Sequence, residues 1–314
     1  IQKGDDLILS HHPFIYLSMN NSLPICNDFG SVTLSKLSET HPCLNIQHKT
    51  CEAKVSLFGG HVLNWQPTDE KEVFWISKDA KYDEKSAIRG GIPVCLPWFG
   101  VNQSDPSLPK HGFVRNQSWQ LSDIDEAVPD STRLVFTYQP STDDLTLFDA
   151  AFQAELEMIL GDTIELTLTL HNCADHAATF SWALHSYHPV SDLTEVRVQG
   201  LDNHTYLDNL QSLQACQQKG DICFHGEVDR VYESVPTTQQ ISGNPTLQIE
   251  GENCDTAIVW NPGADNARRM DDVGELIHQQ FICVERGSAF ANSWQLSANE
   301  RKTARLQISE IPSD

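Results

Sequence analysis

The chain has 314 residues, 39% of them hydrophobic and 20% charged, and an all-β or barrel domain can absorb that whole length around one core. Its 21 basic against 43 acidic side chains give a formal charge of −22, which argues against nucleic acid or anionic membrane as a general partner and requires any anion site to gather its cations locally. No apolar run approaches the ~18 residues of a membrane span, and the opening IQKGDDLILS lacks the apolar stretch and cleavage site of a signal peptide. The nine cysteines are scattered, odd in number and without a C-x-x-C pair, so neither a disulfide framework nor a zinc site is indicated, and a soluble, cytoplasmic chain with reduced thiols is the expectation.

Residues 1–30 show weak patterning and are expected to wrap the body as an edge element. Strands are expected over Lys54–Leu57, Val73–Ile76 and Arg133–Tyr138. The period of two is clearest from Phe152, where Phe152, Ala154, Leu156, Met158 and Leu160 share one face, and from Ile164, where Ile164, Leu166, Leu168 and Leu170 do the same opposite Glu165, Thr167 and Thr169. Gly161-Asp162 between the two runs is expected to be a two-residue hairpin turn. Further strands are expected over Thr179–Leu184, Val196–Gln199, Thr256–Trp260, Phe281–Glu285 and Thr303–Ile308. Helical spacing is missing except for one or two turns within Asp271–Gln280, which excludes strand-helix-strand alternation. The expectation is a single antiparallel β-sandwich over residues 1–314, with more than a dozen short strands, very little helix and no propeller repeat.

Four segments combine special backbone residues with polar groups out of pattern. In IRGGIPVCLPWFG (Ile88–Gly100) two glycines and two prolines surround a single charge, Arg89, which is either a surface-turn residue or, given the apolar segment after it, one that points into a cavity or is paired. PKHGFVR (Pro109–Arg115) gathers Lys110, His111 and Arg115 around Gly112; in so acidic a chain the cluster suits a phosphate dianion, since arginine offers a planar fork of donors and lysine a compact charge. In LHSYHPV (Leu184–Val190), His185 and His188 would face opposite sides of a strand, so they do not ligate one metal together. In FICVERG (Phe281–Gly287), Glu285 follows four apolar residues; it is either a strand-end charge facing water or a buried carboxylate with a task. GEVDRVY (Gly226–Tyr232) adds Asp229 beside Arg230, a pair that could be no more than a surface ion pair.

Together with VWNPGADNARRMDD, these phrases resemble the hexose-6-phosphate mutarotases (glucose-6-phosphate 1-epimerases), a branch of the aldose 1-epimerase superfamily. They occur in the family's order over roughly residues 50–310, and the combination is specific where any one phrase would not be. The resemblance implies a galactose-mutarotase-like β-supersandwich that interconverts the α and β anomers of a hexose 6-phosphate without metal or organic cofactor. On the family pattern His185 is the general acid and Glu285 the general base. Arg89, Lys110 and Arg115 hold the 6-phosphate, Asp229 contacts sugar hydroxyls, and His111 orients the substrate. Arg286, where a proline commonly follows the glutamate, and His188, where an aromatic or aliphatic residue is common, depart from the pattern.

Those roles agree with the chemistry. Opening a pyranose requires one group to take the proton of the anomeric hydroxyl while another protonates the ring oxygen, so an ionised carboxylate and an imidazolium suffice. The pair is expected to face each other across the cleft with a sugar-sized gap, and the three cations to converge on one anion site. Rival readings are a glycoside hydrolase using Asp229 and Glu285, a catalytically silent sugar-phosphate-binding protein of the same fold, and a neutral-sugar mutarotase.

Overall fold

The computed structural model describes residues 23–125, 129–243, 245–274 and 276–311. Of the weakly patterned first thirty residues, 1–22 lie outside this set. The remainder begins with β1 (Ile25–Cys26), the edge strand of a five-stranded sheet continued by β2 (Gly30–Ser38), β3 (His41–His48), β4 (Cys51–Ser56) and β5 (His61–Pro67). There follow β6 (Val94–Cys95), β7 (Gln120–Asp125), β8 (Ser131–Tyr138), β9 (Phe152–Gly161), β10 (Ile164–Asn172), β11 (Ala178–Phe180), β12 (Trp182–Leu184) and β13 (Tyr187–Pro189). Next in the chain are β14 (Arg197–Gln199), β15 (Thr205–Asp208), β16 (Gln214–Gln217), β17 (Val228–Glu233), β18 (Thr238–Ser242), β19 (Thr246–Glu252) and β20 (Thr256–Asn261). The chain closes with β21 (Phe281–Ser288), β22 (Trp294–Leu296) and β23 (Arg301–Ile311).

Two large antiparallel sheets dominate. One runs β14-β18-β19-β23-β10-β9-β8-β7; the other runs β16-β15-β17-β20-β21-β12-β6, with β13 also on β21. The alternation read from Phe152 and Ile164 is what the structure uses: Leu156, Met158, Leu160, Leu166 and Leu168 enter the main core, which continues through Trp182, Val259, Ile282 and Val284 of the second sheet. Burying one face of each sheet against the other supplies the hydrophobic stabilisation. Helix is as scarce as expected. Among the described residues the α-helix is a five-residue segment, α1 (Gly263–Ala267), and the stretch expected to turn contributes only the 3-10 turn Ile277–Gln280.

Three local expectations need correction. Val73–Ile76 forms no strand: the chain bends at Phe74, the Val73 and Trp75 N–H groups go to different partners, the Trp65 and Tyr187 carbonyls, and Ile76 makes a lone bridge to Gly90. Thr179–Leu184 is two strands, since β11 pairs with β22 and β12 with β21, so the chain changes partners at Ser181. The β9–β10 connection spans three residues beyond the Leu160–Ile164 pair, with the Gly161 N–H closing on the Thr163 carbonyl.

Candidate active site

Strand β21 carries the sequence FICVERGS with all eight residues buried, so its two faces are separated only by alternation. Ile282, Val284 and Arg286 point toward the main core, while Phe281, Cys283 and Glu285 lie on the other face. On that face two small apolar clusters flank the carboxylate: Phe281, Cys283, Tyr187 and Trp75 on one side, and Cys95, Ala183, Val231 and Ile258 on the other.

The partner of Glu285 follows from register. Leu184 pairs with Arg286 in β12, and Tyr187 pairs with Cys283 in β13; these belong to one unbroken register, which sets His185 directly across from Glu285. The connecting residues are held by His185 N–H to Pro93 O (3.0 Å) and by the Ser186 hydroxyl to Val284 O (2.7 Å). The result is a contact of 3.2 Å between His185 Nε2 and Glu285 Oε1, with the side chains 8% and 1% exposed. The expected sugar-sized gap is therefore absent: two residues on adjacent strands of one sheet face are neighbours, not opposing walls. Glu285 Oε2 and His185 Nδ1 are buried without a hydrogen-bond partner. His188 faces the other way, as the spacing predicts; its ring packs on Phe74, its Nε2 bonds Ser186 Oγ at 3.0 Å, and burial pushes it down to about 3.

The pair is electrostatically unusual. Burial and then the Asp229 carboxylate hold the Glu285 carboxyl well above its ordinary value, against the opposing pull of Lys110 and Arg115. Burial, then Arg115 and Arg89, hold the His185 imidazole well below its ordinary value. Each shift favours a neutral group. The neutral acid–imidazole pair and the carboxylate–imidazolium pair contain the same protons and differ by one transfer across the contact.

Aromatic rings fix the imidazole. His185 stacks on Tyr187 (centroids 4.8 Å apart, planes 10° apart) and meets Trp260 and His111 edge-on at 6.0 and 5.7 Å. His111 has a left-handed backbone, φ 68°, a strain of ~1 kcal/mol or more for a non-glycine residue. Gly100 holds it there: its carbonyl accepts the His111 backbone N–H at 2.7 Å, and its N–H donates to His111 Nδ1 at 3.2 Å. That bond makes Nδ1 an acceptor, so neutral His111 presents an Nε2–H donor. The adjoining Gly112, φ 70°, is required because a Cβ there would collide with the Leu96 carbonyl.

The three predicted cations differ. Arg89 is paired, its Nε to Asp272 Oδ2 at 2.9 Å and its Nη1 to the Tyr187 hydroxyl at 3.0 Å. Arg115 donates to the Lys110 carbonyl at 2.8 Å, its Nε is buried without a partner, and neither Arg115 nor Lys110 meets a carboxylate among the described residues. All three nonetheless act on His111 and His185, whose imidazolium forms they oppose. Asp229, on β17, accepts from Asn209 Nδ2 at 3.0 Å and is shifted upward by burial. Two hollows, of about 550 and 1030 Å³, include none of the predicted site residues.

Four residues that bear on the site were missed from sequence. Tyr187, between the two histidines of LHSYH, links Arg89 to His185. Asp272, the last residue of the VWNPGADNARRMDD phrase, anchors Arg89. His61 donates from Nε2 to the Gly90 carbonyl at 2.7 Å and is pushed down by burial to about 4, so it braces the Arg89 loop as a neutral group. Trp260 walls the imidazole. Tyr187, Trp260 and Asp272 lay within phrases that the sequence had already singled out; His61 did not.

Comparison with known proteins agrees with this architecture. Proteins named "Putative glucose-6-phosphate 1-epimerase" from Cenchrus ciliaris and from Salmonella typhimurium are 32% and 30% identical to this chain. The first match covers 84% of this chain and 83% of its relative, the second 91% and 95%. The crystal structure of "a putative mutarotase (YeaD) from Salmonella typhimurium" superposes with a TM-score of 0.84 at 26% identity, covering 93% of this chain and 96% of that one. A galactose mutarotase-like protein from Clostridium acetobutylicum shares the fold at a TM-score of 0.73 and 15% identity, covering 91% and 100%. With the aldose 1-epimerase family model matching residues 42–309, which span both large sheets and every residue of the site, the chain belongs to the aldose 1-epimerase family.

Proposed function

We propose that this protein interconverts the α and β anomers of a hexose 6-phosphate, with glucose 6-phosphate the first substrate to test. The observation that carries the reading is the His185–Glu285 contact on one sheet face, beside two cations, Arg115 and Lys110, that meet no carboxylate among the described residues. The names of the relatives at about a third identity point to the same substrate class.

Ring opening needs each group within hydrogen-bond reach of its own oxygen, and adjacency can serve that as well as opposing walls. The anomeric oxygen and the ring oxygen are bonded to the same carbon, so a single floor can reach both. Glu285, as carboxylate, takes the O1 proton while the imidazolium of His185 gives a proton to the ring oxygen. The C1–O5 bond breaks with its electron pair on O5, and C1=O1 forms. Rotation about C1–C2 presents the other carbonyl face, and the reverse transfers restore the ring. His111 Nε2–H and Asp229 orient hydroxyls in this reading, and Asp272 and Tyr187 hold Arg89. Arg115, Lys110 and Arg89 hold the phosphate, which takes no part in bond making but fixes C1 over the pair. The same reading places the protein in a reducing compartment, the cytoplasm, where its scattered thiols would persist.

Exchange NMR between the anomers of glucose 6-phosphate, with and without protein, tests this. Acceleration above the solvent rate is expected, with His185→Ala far slower. Exchange no faster than in buffer, with folded protein, would refute it.

A further inference from the structure

We propose that Asn209, at the tip of the β15–β16 hairpin, is a specificity-determining positioning residue: it holds Asp229 by one carboxylate oxygen so that the other accepts a hydroxyl at the edge of the sugar remote from C1. This inference rests on the function proposed above and deepens its account of how the hydroxyls are recognised.

Register brings the two side chains together. In the antiparallel pair of β15 with β17, Leu207 lies across from Val231 and Asp208 across from Arg230, so the next residue, Asn209, comes level with Asp229. Alternation gives Asn209 the face of Leu207 and Asp229 the face of Val231. That face is the one carrying Glu285, because Val231 pairs with Ile258 and Ile258 with Glu285. The contact is Asn209 Nδ2 donating to Asp229 Oδ1 at 3.0 Å, while Asp229 Oδ2 makes no hydrogen bond among the described residues and stays open to solvent. Asp229 lies two strands across and two residues along from Glu285, through Trp260 and Cys283. At ~4.8 Å per strand and ~3.3 Å per residue their Cα atoms are roughly 12 Å apart. Less the two side chains, that separation matches the width of a hexose ring, so a sugar with C1 over the His185–Glu285 pair turns its remaining hydroxyls toward Asp229.

The hairpin tip is fastened without the Asn209 side chain. The Asp208 carboxylate, buried, accepts the Leu210 N–H at 3.0 Å and Gln211 Nε2 at 2.6 Å, and the Asp208 carbonyl accepts the Leu213 N–H at 2.8 Å. Ser212 and Leu213 are consecutive left-handed residues, φ 53° and 63°, and neither is a glycine. Such backbone persists only where the surrounding bonds dictate it, and it gathers at functional sites. The order of dependence follows: Asp208 sets the tip, the tip sets Asn209, and Asn209 sets Asp229. Asn209 is itself exposed, so its replacement opens no cavity.

The test reads binding, which is measured whether or not the sugar turns over. Calorimetry gives dissociation constants of glucose 6-phosphate, its 2-, 3- and 4-deoxy analogues and inorganic phosphate for the wild-type protein, Asn209→Ala, Asn209→Asp, Asp229→Ala and the double variant Asn209→Ala with Asp229→Ala. Asn209→Ala should weaken glucose 6-phosphate by ~10-fold, the scale of one hydrogen bond to a charged group. Asn209→Asp, isosteric but lacking the donor and adding a like charge, should weaken it further. The loss should shrink below about 2-fold for the deoxy analogue that lacks the hydroxyl held by Asp229, and likewise in the Asp229→Ala background, because the two residues act as one unit. Inorganic phosphate should bind all variants alike. A loss equal on all four sugars, shared by inorganic phosphate, or undiminished in Asp229→Ala would make Asn209 a structural residue only, overturning this inference while the proposed function stands. Unchanged affinity for glucose 6-phosphate in both single Asn209 variants also overturns it. The expected binding pattern without accelerated exchange between anomers would remove the proposed function and leave the role of Asn209 intact. Wild-type protein that binds none of the four sugars removes both. Should one Asn209 variant not fold, the other decides.

Discussion

Glu285→Gln should remove most activity and at the same time stabilise the folded protein progressively as pH rises. The folded pair holds one proton, because burial raises the carboxyl and lowers the imidazole. In the unfolded chain the two groups titrate near their ordinary values of 4.5 and 6.5. Between those values both states carry one proton, so the parent's contribution is flat. Above 6.5 the unfolded chain has lost its proton while the folded pair keeps it, and the parent loses stability as pH rises. In the variant, folded His185 stays neutral; its stability falls only as pH drops below 6.5, where the unfolded imidazole binds a proton. The difference therefore moves in the variant's favour by up to ~1.4 kcal/mol per pH unit from 4.5 upward until Glu285 ionises in the fold. This corresponds to ~2–3 °C in Tm per pH unit for a chain of this size. Urea denaturation of both proteins from pH 5 to 8.5 reads it, and all other titrating groups cancel in the comparison. Anomerisation should fall by ~10²-fold or more over the same samples. Parallel stability curves would refute the shared-proton account, and near-normal turnover would refute the role of the carboxylate.

His185→Ala should also cost ~10²-fold or more in kcat with phosphosugar binding largely kept, and the double variant with Glu285→Gln should be far less impaired than the product of the singles, because both act in one transition state. Product-like additivity in single-turnover rates would separate their roles. Arg115→Ala should raise KM for the phosphosugar far more than for glucose; equal losses on the two sugars would remove it from the phosphate site. Arg286 is 1% exposed and donates to the carbonyls of Cys254, Pro236 and Thr237 and to Gln239 Oε1, with no carboxylate among those partners. Arg286→Ala, by leaving a cavity and stranding those acceptors, should destabilise by ~3 kcal/mol or more in denaturant titrations. A loss below ~1 kcal/mol would show that water enters the space freely.

The departure from the family pattern at Arg286 acquires a physical meaning here. Alternation on β21 sends Arg286 away from the face that carries Glu285 and into the gap between the sheets, where it crosses to the β18–β19 side; its guanidinium lies against Gly251, whose Cβ would strike it. A long donor in that position ties β21 to the opposite sheet, while the neighbouring Glu285 remains on the face where it meets His185.

The amino-acid sequence by itself determined the all-β character, because strands such as β9 and β10 bury one face and wet the other, and a period of two is written wherever that asymmetry exists. It also marked the chemical parts: the histidine segment, the carboxylate in an apolar run and the cations beside glycines stand out as local violations of pattern. It could not say how those parts meet. Strand β21 is covered on both faces, so no alternation marks which way Glu285 points. The register that sets His185 against it joins segments a hundred residues apart. Arg89 is distinguished from Arg115 and Lys110 by Asp272, 183 residues further along the chain. Contact in place of a gap, an Arg89 paired with Asp272 where Arg115 and Lys110 meet no carboxylate among the described residues, and the burial that pushes the carboxyl up and the imidazole down were decided only when the sheet closed, because pairing and burial are properties of the assembled strands and local sequence encodes only which side of each strand avoids water.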